Sequence, residues 1–118
     1  MRQGITVVVC GALLLSACAS PTPPIAQGLP KVFVPTADFD ARVRQRFPIG
    51  SSEDTLIAEL RAEKFTITEI IDPSDQYRRN AYYESQIFPC KETWAIKWAA
   101  DQGQITAIQG RNSGELCL

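Results

Sequence analysis

The sequence predicts an α+β domain in which two short N-terminal helices pack on one face of a three-stranded antiparallel sheet. Three observations predict it. Apolar residues recur at helical spacing from Phe39 to Leu60, the period turns to alternation after Lys64, and a Gly-bearing turn at 101–104 separates two extended runs.

The first helix opens at Thr36-Ala37-Asp38, whose side-chain oxygens suit an N-cap, and Phe39, Val43 and Phe47 lie on one face of it. Pro48 ends it. The second follows Ile49-Gly50-Ser51-Ser52-Glu53-Asp54, where Gly50 permits the turn, Ser51 can cap and Asp54 opposes the N-terminal dipole. Leu56, Ile57 and Leu60 form its apolar stripe. Alternation then places Phe65, Ile67, Glu69 and Ile71 on one side of a strand, and Asp72-Pro73-Ser74-Asp75 reads as a turn. A long extended region from about Tyr82 to Ala100 carries Trp94, Ile96 and Trp98 at alternate positions. Asp101-Gln102-Gly103-Gln104 turns it back into a last strand, Gln104 to Gly110, bearing Ile105, Ala107 and Ile108.

Ahead of this domain, residues 1–17 read as a signal peptide. Met1-Arg2 supplies a positive start, and Ile5 to Leu15 is an apolar run too short for a bilayer-spanning helix, which needs roughly 20 residues. The run ends in Leu15-Ser16-Ala17-Cys18, which resembles the lipobox of bacterial lipoproteins. That resemblance implies a diacylglycerol thioether on the Cys18 sulfur, cleavage before Cys18 and acylation of the new amino group by a fatty acid such as palmitate. Ala19, where an Asp would favour the inner membrane, points to the outer membrane and a periplasm-facing domain. Residues 18–35, with Pro21, Pro23, Pro24, Pro30 and Pro35, are expected to be a lipidated linker without a core. Fully extended, it would hold the domain (residues 36–118) up to ~50 Å from the bilayer. Lys31-Val32-Phe33-Val34 is its apolar exception, suited to an edge strand or a docking contact.

Loss of residues 1–17 leaves 101 residues carrying 13 acidic and 11 basic side chains, enough for one small domain. The balance gives no footprint for nucleic acid. Arg42, Arg44, Arg46, Arg78 and Arg79 read as solvated helix-face and loop charges. Cys10 departs with the signal peptide. A hairpin turning at 102 and 103 puts Cys90 opposite residues 115–117, so Cys90 and Cys117 are expected to form a disulfide in an oxidising envelope. Their spacing is not that of a C-x-x-C redox pair.

The chain has no histidine, which removes His-based acid–base catalysis, Ser-His and Cys-His nucleophiles and the commonest transition-metal ligand. With both envelope cysteines bridged, no thiolate metal site can be built. No serine has a lysine three residues on, and no Gly-rich phosphate loop is present. Glu53 with Asp54, and Glu84 with Glu92, are the possible carboxylate pairs, read as helix-start and strand-surface charges. No catalytic residue, cofactor, metal or small-molecule substrate is therefore expected.

Ile49 to Leu60, an apolar residue, Gly, small hydroxylated residues and a short helix ending at Leu, resembles the small lipoproteins of the SmpA/OmlA (BamE) group. Trp94 to Ile108 matches that group's Trp-bearing strand and Gly-turned hairpin. The resemblance implies an accessory role beside the outer-membrane β-barrel insertion machinery. At the end of the second helix Leu60-Arg61-Ala62-Glu63 replaces the group's Leu-Gly-x-Pro, and Cys90 and Cys117 are additional to its pattern.

The expected function is thus that of a non-catalytic, outer-membrane-anchored lipoprotein that supports envelope integrity or barrel assembly by binding an envelope protein, with Phe33, Tyr77, Tyr82, Tyr83 and Phe88 as candidate contacts. The alternative is a lipid-anchored inhibitor of a periplasmic or secreted enzyme, contacting it through Pro73 to Asn80 with Arg78 and Arg79 at the tip. Catalysis by carboxylates alone, through Glu53, Asp54, Glu84 or Glu92, is a third reading.

Overall fold

The computed structural model describes residues 22–29, 36–87 and 90–117. The expected signal peptide, Cys18, Lys31 to Val34 and Phe88 lie outside them. A 3-10 turn at Pro24–Ala26 precedes α1 (Thr36–Arg46) and α2 (Glu53–Ala62). Four strands follow: β1 (Thr66–Glu69), β2 (Arg79–Ile87), β3 (Cys90–Asp101) and β4 (Gln104–Cys117). They form one antiparallel sheet in the order β1-β2-β3-β4.

The α+β class and the two helices agree with expectation, but the sheet has four strands, not three. The extended region from Tyr82 to Ala100 divides into β2 and β3, paired in register from Arg79↔Trp98 to Ile87↔Cys90. Pro89, which has no N–H to give to a ladder, falls between them.

Each helix is held by local chemistry. Ser52 caps α2, its Oγ accepting the Thr55 N–H at 3.2 Å. Ser51, the expected cap, instead donates its hydroxyl to the Pro48 carbonyl. At the other end Lys64 adopts φ 74°. This left-handed residue lets the Lys64 N–H reach Arg61 O and the Phe65 N–H reach Leu60 O, both at 3.0 Å. That pair of bonds is the Schellman arrangement, with buried Leu60 and Phe65 as its hydrophobic contact. Gln102 and Gly103, at φ 52° and 79°, make the two-residue turn between β3 and β4.

The core lies between the helices and one face of the sheet. Phe39, Val43, Phe47, Leu56 and Leu60 meet Ala81, Trp94, Ile96, Trp98, Ile105 and Ile108, all buried. Phe39 stands edge-on to Trp94 with ring centroids 5.0 Å apart. Alternation along the strands turns Tyr82, Thr93, Ala95, Lys97, Ala99 and Gln109 to the opposite face, left uncovered by any helix among the described residues, where each is half-buried.

Part of the expected linker belongs to this core. Pro23 is fully buried, and Ile25 and Ala26 are 2% and 1% exposed. The Ile25 N–H donates to Glu63 Oε1 at 2.8 Å, and Arg42 Nη1 donates to the carbonyls of Ile25 and Gln27 at 3.1 and 3.0 Å. The segment is therefore clamped between α1 and the end of α2. Prolines exclude ladder bonding here, but a turn needs none.

Candidate interaction surfaces

The residues between β1 and β2 form a braced loop. Asp72 Oδ1 accepts both the N–H and the hydroxyl of Ser74, at 2.9 and 2.8 Å. Asp75 Oδ1 accepts the Tyr77 N–H at 2.8 Å, while Asp75 Oδ2 lies 3.4 Å from Lys97 Nζ. Arg78 donates to the carbonyls of Asp72 and Asp75. The Ser74 backbone and hydroxyl donors hold the Asp72 carboxyl below its ordinary value, and the Tyr77 amide, helped by Lys97, does the same for Asp75. Arg78, expected at the loop tip, is thus spent on the loop's own carbonyls.

Ile71 leads into this loop and is 90% exposed, the most open large hydrophobic side chain among the described residues. Alternation in the sequence predicts it on the strand face with Phe65 and Ile67. The strand ends at Glu69, so the alternation stops before reaching it. Ile49, 59% exposed, borders the same end of the sheet, where Gly50 N–H meets Ile105 O at 2.8 Å.

The candidate carboxylates do not assemble into pairs. Glu53 accepts Trp98 Nε1–H at 2.8 Å and lies 3.4 Å from Arg79, while Asp54 is exposed. Glu84, opposite Thr93, lies on the uncovered face 3.3 Å from Lys91. Glu92, opposite Ser85, lies on the helix-bearing face and accepts from Asn112 Nδ2 at 3.1 Å. A sheet separates these two carboxylates. On the helices, Arg46 reaches Glu59 and Glu63 at 2.7 and 2.6 Å. Burial works against its charge, but the two carboxylates outweigh it and raise its pKa. Among the described residues no group of three His, Cys, Asp or Glu could hold a metal.

The tyrosines divide. Tyr77 is buried, and Tyr83 packs on Phe65 with centroids 5.6 Å apart, so both serve the fold. Tyr82 stands half-buried on the uncovered face. Cys90 and Cys117 are direct partners in the β3–β4 register; their side chains lie outside the described residues. Asn80 Oδ1 and Trp94 Nε1 are buried without a hydrogen-bond partner among the described residues, and nothing there explains either. The sequence matches no family model, and neither a curated protein nor a solved structure matches the chain.

Proposed function

We propose that the chain is a non-catalytic lipoprotein, anchored in the bacterial outer membrane through Cys18, whose domain binds an envelope protein and supports envelope integrity or barrel assembly. Leu15-Ser16-Ala17-Cys18 supports the location. The observation that carries the binding role is Ile71, held out to solvent beside a loop locked by its own aspartates and Arg78. An apolar contact on a preformed loop spares the ordering cost of association. Confinement to the membrane raises the domain's concentration near membrane partners, so a single modest contact suffices.

The same loop favours the second reading, an inhibitor of a periplasmic or secreted enzyme, because a braced loop that exposes Ile71 to Ser74 suits contact with a cleft. Crosslinking in intact cells followed by capture of the lipoprotein separates them. Barrel-assembly components support the first reading and a hydrolase the second. In either case Ile71→Asp should lose the partner, and capture of neither class contradicts both.

A further inference from the structure

We infer that the Pro24–Ala26 turn fixes how the domain sits on the membrane: it holds the helix layer against the phospholipid headgroups and turns the uncovered sheet face away from them. The inference rests on the lipid anchor proposed above and adds an orientation to it.

The length of free chain limits how the domain can sit on the membrane. If all of residues 18–35 were linker, the domain could rotate freely far from the bilayer. Pro23 is fully buried, however, and Ile25 and Ala26 are core residues. Arg42 and Glu63 bind the turn's backbone on both sides, and Leu29 packs against the core beyond it. Only residues 19–22 separate Cys18 from Pro23. At ~3.4 Å per residue that chain reaches about 17 Å even when fully extended. The point of attachment is equally defined, because the turn bridges α1 and the C-terminal end of α2. The helices cover one side of the sheet, so the tether leaves from the side opposite Tyr82, Ala95 and Lys97. The lipid layer is then the neighbour of the helices, and the sheet face is left for the periplasm.

The test uses the full mature protein purified from membranes, its intact mass measured first, in nanodiscs of phosphatidylethanolamine and phosphatidylglycerol doped with a gadolinium-headgroup lipid. The amide signals of Gln27 and Gly28 should broaden several-fold more than those of Ala95 and Lys97. A flexible Gly/Ser insert of about 20 residues after Ala19 should erase that difference. Equal broadening at both sites in the acylated native protein, or stronger broadening at Ala95, overturns the orientation while leaving the anchor intact. A mass without acyl chains overturns the anchor and the orientation together.

Discussion

Asp40 on α1 accepts the backbone N–H of Gly110 on β4, Oδ1 to N 2.7 Å, across 70 residues of sequence. The helix lies so close to the strand there that a Cβ on Gly110 would meet Val43 Cγ2 at 2.7 Å and Asp40 Cα at 3.1 Å. Glycine at 110 thus answers to proximity, and Asp40 satisfies the amide that the close approach would otherwise seal from water. Gly110→Ala should lower stability by about 1–3 kcal/mol through overpacking. Asp40→Ala should cost about 1–3 kcal/mol by orphaning that N–H. Thermal unfolding of the two single variants and the double variant checks this; neighbouring sites should combine non-additively.

The N-terminal turn should behave as part of the domain. Ile25→Ala removes a buried side chain and should cost about 2–5 kcal/mol. Glu63→Ala, which leaves the Ile25 N–H without its acceptor, should cost about 1–3 kcal/mol. Denaturant unfolding measures both, and a chain starting at Thr36 should be less stable than one starting at Thr22. Equal stability of those two chains would return the segment to the status of a linker.

Direct pairing of Cys90 with Cys117 in the ladder leads to the expectation that the two are bridged. A loop of about 28 residues closed in the unfolded chain corresponds to ~3.5 kcal/mol. Cys90→Ser and Cys117→Ser should therefore lower the melting temperature by similar amounts. Two reactive thiols in the native protein would contradict the bridge.

Acid should loosen the loop after β1. Both Asp72 and Asp75 titrate below their ordinary 3.8 in the folded chain, because hydrogen-bond donors favour their charged forms. The stabilisation they confer is present in full above that unfolded value and is lost as pH falls through the lower folded values. Amide exchange at Ser74 and Tyr77 should stay slow from neutral pH to about 4, then quicken on further acidification relative to core amides. Asp72→Asn with Asp75→Asn should blunt that acid response.

Legibility in the sequence followed the range of the interactions. Phe39, Val43 and Phe47 share a helical face by spacing alone, and all three are buried. The turn at Gln102-Gly103 carried enough local chemistry to put Cys90 opposite residues 115–117, and two register shifts between β3 and β4, which no local pattern reports, bring it onto Cys117. The division between β2 and β3 was obscured because strand-forming residues run almost unbroken from Tyr82 to Ala100, with Pro89 as the available sign. Burial of Ile25 depends on Glu63, 38 residues away, and no local pattern in a Pro-rich segment reports such a partner. Ile71 fits the alternation of its neighbours, yet its strand ends two residues earlier. The separation of Glu84 from Glu92 needed the β2–β3 register, which the undivided strand concealed.

The most direct test of the account is mass spectrometry of the N-terminal peptide of the mature protein isolated from membranes. The expected product is a chain that begins at Cys18 and carries a diacylglycerol thioether and an amide-linked fatty acid, both absent from Cys18→Ser. A mature N-terminus without acyl chains, or fatty-acid labelling that persists in Cys18→Ser, would contradict it.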